Sequence, residues 1–347
     1  MGYKIELEES RRYHILKALM CLFVVFIHSF SQQYNGRVSG SQWWLYQITF
    51  TVSRIICDCA VPVFMLISSV MLYAKPFRWW QNVKKKARTL LIPYVIFNSL
   101  WIVVALTGRY LSVKLGKPGL NVVNFDTNSV TGWLNAYLGF WGKPALTLLW
   151  YVRDLFLLNL LAVGIKKLVD RLPILTLILT IVWCAIDKPI SVLGVYSVMP
   201  FVLGCYLVKY NIHMADFDRK LKGWLVASVF VVVLTVDILL RRNIYVHYLF
   251  VLCSMVFYLR LSRKLLRIEK PFQIVGAAGF FIYLSHLFVL SVLKALIGDS
   301  FSVYFATYFL LPPVVTTVLL GVFCFMRRFM PGLLGILTGG RRPVPKS

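Results

Sequence analysis

The feature that most constrains this chain is the repetition of one length of apolar segment. Runs of roughly 18–22 mostly apolar residues recur along the whole sequence, the length a helix needs to cross a hydrocarbon layer of ~30 Å. Ten are expected, at 15–32, 47–73, 88–107, 146–164, 173–187, 191–208, 224–240, 244–260, 272–294 and 302–326. The fifth is short and is bracketed by Pro173 and Pro189. In lipid every backbone polar group must be satisfied by the protein itself, which leaves helices or a closed barrel. The alternating strands of a barrel are absent, so the expected fold class is all-α: a polytopic membrane protein with about ten transmembrane helices. A hydrophobic share of 59% and a mean hydropathy of +0.74 agree with that reading.

The formal net charge is +25. In a soluble chain such an excess raises nucleic-acid binding. Here the position of the charge explains it. With the N-terminus in the cytoplasm, about 27 basic residues fall on the cytoplasmic side and about nine on the other. The bias supports ten spans with both termini cytoplasmic, in the inner (cytoplasmic) cell membrane, with lipid as a partner and no nucleic acid. Residues 1–32 lack a prompt small-residue cleavage site and read as a retained span. Residues 1–330 form one membrane domain, and 331–347 are expected to be a disordered basic cytoplasmic tail ending with Arg341 and Arg342. The seven cysteines lie in or beside apolar runs and suggest no disulfide framework. Cys57-Asp58-Cys59 matches no zinc spacing, so no metal is expected. A long external loop spans roughly 108–145, and its aromatic stretch 131–141 is either an interfacial anchor or a cover over an external site.

Four polar sets interrupt the spans: His28-Ser29, Arg54 with Asp58, Arg153-Asp154 and Ser285-His286. Helical rise places His28 ~20 Å, His286 ~21 Å, Arg153 ~16 Å and Asp58 ~23 Å from the cytoplasmic ends of their helices. Ionisable groups at one depth in a bilayer must pair with one another or face a cavity. Arg54 and Asp58, four apart, are expected to share a helix face and pair. Arg153 and Asp154 point about 100° apart on a helix, so each is expected to reach other helices. Such pairs either fix packing or serve chemistry. The histidines favour chemistry, because a second one lies at matching depth. The loop 75–88 carries six cations and serves either topology and lipid attraction or a phosphate-binding mouth, with Lys17, Arg11 and Arg12 nearby.

Several short patterns in order make the chain resemble the integral-membrane acyltransferase 3 family. A basic residue, ten residues and a histidine run from Lys17 to His28, where the family more often begins with Arg. The FFxLSG-like end of the second helix is Phe64-Met65-Leu66-Ile67-Ser68-Ser69, with Ser69 in place of glycine. Arg88-Thr89-Leu90-Leu91-Ile92-Pro93-Tyr94, Trp150-Tyr151-Val152-Arg153-Asp154 and Tyr283-Leu284-Ser285-His286 follow. The resemblance implies an acyl-CoA-dependent O-acyltransferase, with acetyl-CoA or another acyl-CoA as donor and an envelope glycan, polysaccharide or lipid-linked saccharide as acceptor. For such a transfer His28 is expected as base and His286 as its partner or as the group that positions the thioester, with Arg153 or Arg54 at the oxyanion and Asp58 or Asp154 orienting a cation or imidazole. Lys17, Lys84, Lys85, Lys86 and Arg88 would hold the CoA phosphates. The competing class is a transporter or flippase for an envelope glycan, with the charged groups as its path and no acyl donor.

Overall fold

Helix occupies each of the ten apolar segments in the computed structural model, which describes residues 3–76, 78–116, 121–186, 193–297 and 300–340. In chain order the helices are α1 (Leu7–Ser29), α2 (Ser41–Arg54), α3 (Ala60–Tyr73), α4 (Trp79–Lys86), α5 (Ile92–Leu115), α6 (Val130–Leu138), α7 (Trp150–Arg171) and α8 (Pro173–Ile186). They continue with α9 (Val195–Lys209), α10 (Met214–Lys220), α11 (Gly223–Leu239), α12 (Ile244–Leu265), α13 (Glu269–Ile297), α14 (Phe301–Tyr308), α15 (Leu311–Phe329) and α16 (Pro331–Leu337). No strand occurs among the described residues.

Six runs among them are long and apolar enough to cross a membrane: Leu7–Tyr34, Ser41–Tyr73, Trp79–Leu115, Thr147–Arg171, Ile244–Leu296 and Leu311–Phe329. The fifth run has 53 residues, or ~80 Å of helix, far more than a bilayer core. It folds back at the 3-10 turn Leu266–Ile268. Arg12, near the start of α1, meets Leu259 and Ser262 late in α12, while His28, near its end, meets His286 late in α13. So α12 runs antiparallel to α1 and α13 runs alongside it. Helices α8 and α11 are apolar but shorter, and α9 meets α10 at an 84° bend.

Prolines explain where the expected spans break. The second is not one helix: α2 ends at Arg54, a 3-10 turn covers Ile56–Cys59, and α3 begins at Ala60. Pro62 donates no hydrogen bond to the Asp58 carbonyl, and its ring crowds that carbonyl. Pro93 has the same relation to Thr89, inside the π-helical turn Ala87–Leu91. The last expected span is split into α14 and α15, with Pro312 and Pro313 in the first turn of α15.

α1 sits at the centre, packed on α13, α3, α12 and α15. The closest helix pairing is α3 on α9, where Gly204 lets Ser69 approach: a Cβ on Gly204 would lie 2.6 Å from the Ser69 Cβ. The Ser69 hydroxyl donates to the Phe201 carbonyl at 2.5 Å. Small residues at a membrane helix interface bring backbones together in this way.

The segment after residue 330 departs from the expected disordered tail. Helix α16 packs on α5 with Leu334 buried. Gly339, at φ +69°, lies against the Thr89 backbone, where a Cβ would come within 2.5 Å. Arg341, Arg342 and the rest of the tail lie outside the described residues.

The basic loops gather at one end of the bundle. There Arg11 donates to Glu269 at 2.7 Å and Lys209 to the Val169 carbonyl at 2.6 Å. Glu9 accepts from Tyr3 at 2.6 Å and Tyr13 at 2.8 Å, and faces His213 at 3.1 Å. Burial, then the bond to Glu9, pushes the Tyr3 phenol above its usual pKa.

Candidate functional site

The parallel course of α1 and α13 brings together two histidines 258 residues apart. Gly276 allows the approach, since a Cβ there would meet the His14 carbonyl at 3.0 Å. Further along, the His28 and His286 rings lie 5.1 Å apart, centroid to centroid, tilted by 49°. His286 is fully buried. Its Nδ1 faces the carbonyls of Tyr283 at 2.8 Å and Ile282 at 3.1 Å. Carbonyls only accept, so Nδ1 carries the ring proton and the lone pair of the neutral ring sits on Nε2. That Nε2 is buried with no hydrogen-bond partner among the described residues. An orphaned buried acceptor costs roughly 1–3 kcal/mol, and such an atom beside a second imidazole is a candidate for chemistry.

The other expected residues are arranged differently from the sequence reading. Arg54 and Asp58 do not pair. The break before Pro62 replaces the α-helical spacing, and Asp58 Oδ2 instead accepts from Arg242 at 2.7 Å and meets His247 Nε2 at 3.0 Å. His247 Nδ1 meets Asp237 Oδ2 at 2.7 Å. His247 and Asp237 are 1% and 0% exposed. This carboxylate–imidazole–carboxylate row was not read from the sequence. Asp237 and His247 end one apolar run and open the next, where polar residues are ordinary, and only the tight turn between α11 and α12 sets them opposite. Arg241 and Arg242 in that turn have φ of 52° and 61°, a conformation costly for side chains with a Cβ. The bonds from Arg242 to Asp58 and to the Arg54 carbonyl hold it there. Arg54 turns toward Phe30, its guanidinium 5.2 Å from the ring centroid, and its buried Nε has no partner among the described residues.

Arg153 and Asp154 pair with each other, contrary to expectation, at 2.9 Å. The Arg153 side chain bends back along its helix, and each partner also reaches outward. Arg153 Nη1 donates to the Gly139 carbonyl, while Asp154 Oδ2 accepts from Ser197 at 2.7 Å. Arg153 therefore pins the loop that follows α6, and Asp154 holds the start of α9. Asn98 adds two buried bonds, donating to Ala136 O at 2.8 Å and accepting from Leu146 N at 2.9 Å. The aromatic stretch around α6 is thus a fixed cover on α5 and α7. It carries the exposed Lys143 close enough for its charge to act on His28, as do those of Lys294 and Arg54.

On the other side of the histidines a cleft of about 870 Å³ opens at the basic end. Its mouth is lined by Lys17, Lys75, Arg78, Lys85 and Lys86, and its walls by Phe64, Tyr151 and Tyr283. The Tyr283 ring lies 6.2 Å from that of His286, so the histidine pair is one side chain beyond the cleft. Lys84 and Arg88 do not line it. Lys84 turns over the Trp80 ring at 5.5 Å, and Arg88 is exposed. Lys75 and Arg78 take their place, because α4 presents only one face to the cleft. Nor do Arg11 and Arg12 belong to the mouth. Arg11 is paired with Glu269, and Arg12, 1% exposed, is bound to Asp218 at 2.6 Å.

No solved structure matches the chain. The succinoglycan biosynthesis protein ExoH of Rhizobium meliloti (strain 1021) is 25% identical over 359 residues, spanning 96% of this chain and 92% of that protein. The family described as an acyltransferase domain, acyltransferase 3, matches residues 11–326, which include Lys17, both facing histidines and the residues that line the cleft. The chain belongs to the membrane acyltransferase 3 family.

Proposed function

We propose that this protein moves an acyl group, acetyl being the expected one, from acyl-CoA to a hydroxyl of an envelope glycan, polysaccharide or glycolipid. The observation that carries the reading is the order of parts along α1: a cationic cleft, an aromatic wall, then two facing histidines. The rise from Lys17 to His28, ~16 Å, is the distance a phosphopantetheine arm has to bridge from phosphates at the mouth to a thioester at the histidines. Similarity to a succinoglycan biosynthesis protein supports a polysaccharide as the acceptor class. By the positive-inside rule the cleft opens to the cytosol. The chain then crosses the cell membrane ten times, with the shorter helices α8, α9 and α11 also crossing and both termini inside.

In this mechanism Lys17, Lys75, Arg78, Lys85 and Lys86 hold the CoA phosphates as point charges and one fork. The acceptor hydroxyl enters from the outer side. His28 takes its proton as the oxygen attacks the thioester carbonyl. The C–S bond breaks, and the proton passes to the departing thiolate. His286 Nε2 receives a hydrogen bond from His28 or from the hydroxyl and keeps the attacking group in line. Arg54, rather than the occupied Arg153, supplies positive charge toward the oxyanion. Asp58 acts one step back, through Arg242 on the Arg54 carbonyl, and Asp154 through Arg153 on the cover. The test is purified protein with radiolabelled acetyl-CoA and envelope glycan. Wild type should label the glycan, and His28→Ala, folded and equally abundant, should lose about 10²–10⁴-fold in rate. Near-normal turnover by that variant rules the mechanism out.

A further inference from the structure

We infer that the outer side of the histidine pair is an anion subsite that recognises a carboxylate on one of the reacting substrates. The inference rests on the acyl-transfer reading for the reaction but on charge placement for the site. Around the outer end of α1 four cations gather: Arg54, Lys143, Arg242 and Lys294. Against them stand two carboxylates, Asp58 and Asp237, and both are engaged by His247, Asp58 also by Arg242. Among the described residues no carboxylate lies within ion-pair distance of Arg54, Lys143 or Lys294. Lys294 is anchored by the carbonyls of His28 at 2.7 Å and Phe30 at 3.2 Å, the negative end of α1. That fixes its position without cancelling its charge. The Arg54 side chain lies over the Phe30 ring, and its buried Nε has no hydrogen-bond partner among the described residues.

Unpaired positive charge near the hydrocarbon layer is costly and persists where a ligand completes it. The charges of Arg54, Lys143 and Lys294 all act at the His28 imidazole. A substrate anion they hold is therefore placed a short distance from the reacting hydroxyl or thioester. Lys143 comes from the fixed cover, which therefore contributes one of the three. Arg54 supplies a planar fork suited to a carboxylate. The carboxylate has two sources: an acidic sugar of the acceptor, or the far end of a dicarboxylic acyl chain on the donor.

The experiment separates them with matched pairs. Purified wild type, Arg54→Gln and Lys143→Met are assayed with a glucuronate-containing oligosaccharide and its carboxyl-reduced counterpart, each with acetyl-CoA. The neutral oligosaccharide is then assayed with acetyl-CoA and with malonyl-CoA. An acceptor source predicts that each variant raises KM for the glucuronate oligosaccharide by about tenfold relative to the reduced one. A donor source predicts the same ratio between malonyl-CoA and acetyl-CoA. Equal effects on charged and neutral partners, or none, in both variants overturn the subsite. If no substrate pair is turned over, the acyl-transfer reading has failed, and tryptophan-fluorescence titration with the glucuronate oligosaccharide and with malonate decides the subsite alone. Saturable binding weakened in the variants supports it, and binding that is absent or unchanged overturns it.

Discussion

His247 and the His28–His286 pair lie toward the same end of the bundle and are built in opposite ways. His247 has a carboxylate on each ring nitrogen and is closed off from solvent. His286 has one nitrogen tied to its own backbone and the other buried without a partner, facing a second imidazole. A ring with both nitrogens engaged is a fastener, because neither nitrogen is left to meet a reacting group. A ring with one nitrogen withheld from all bonding is available to a reacting group. Burial alone does not separate the two, since both His247 and His286 are buried; the difference lies in what each nitrogen meets.

The strongest way to break this comparison is to remove each fastener partner in turn. Asp237→Ala leaves His247 and the Asp58 cluster unbalanced in a dry site. Losing one partner of a buried ionic pair costs about 3–5 kcal/mol, and a thermal melt in detergent should fall accordingly. Turnover of the protein that still folds should change far less than in His28→Ala. If Asp237→Ala melts normally but is inactive, the roles assigned to the two histidine sites are exchanged. A packing change away from both sharpens the contrast by showing what stability loss alone does to rate. Gly204→Ala forces a Cβ to within 2.6 Å of the Ser69 Cβ, an overpacking of about 1–3 kcal/mol. Ser69→Gly in the same chain should restore part of the melting temperature, the Leu66 carbonyl still being close. Failure of that rescue means the strain lies elsewhere on α9. The smallest effect is between neighbouring lysines. Lys85→Met should raise KM for acyl-CoA by roughly 3–10-fold with kcat kept, and added salt should mimic it. Lys84→Met should leave KM alone. Equal effects of the two would place the phosphates along the whole of α4 instead of in the cleft.

Much of the architecture was legible because length and hydrophobicity are local. Depth counting along helices also brought His28 and His286 to one level, and both rings are there. What could not be read was which way the polar groups turn. The Arg54–Asp58 pairing followed from an i,i+4 rule that Pro62 invalidates four residues later. Asp237 carried a signal, a lone carboxylate late in an apolar run, but its partner lies across a turn whose left-handed residues, Arg241 and Arg242, give no local warning. Among the cations of 75–88, charge density was visible, while the face α4 shows to the cleft depends on Trp79 docking to the Leu160 carbonyl at 2.9 Å. The helix in the tail was not legible because Leu334 and Gly339 find their partners far along the chain, Gly339 against Thr89, with no local signal of it.

The anchoring of His286 has a bioenergetic consequence. On the proposed topology, the cleft at one end and the cations at the other would bring two aqueous compartments near a single pair of imidazoles. An imidazole reachable at both nitrogens is a proton wire, accepting on one and releasing on the other. With Nδ1–H fastened to the carbonyls of Ile282 and Tyr283, His286 has one port only. A proton that arrives at Nε2 must leave from Nε2, so the ring serves as a dead end rather than a conduit. In the proposed reaction His286 would then handle a proton at each turnover without itself conducting it across the membrane.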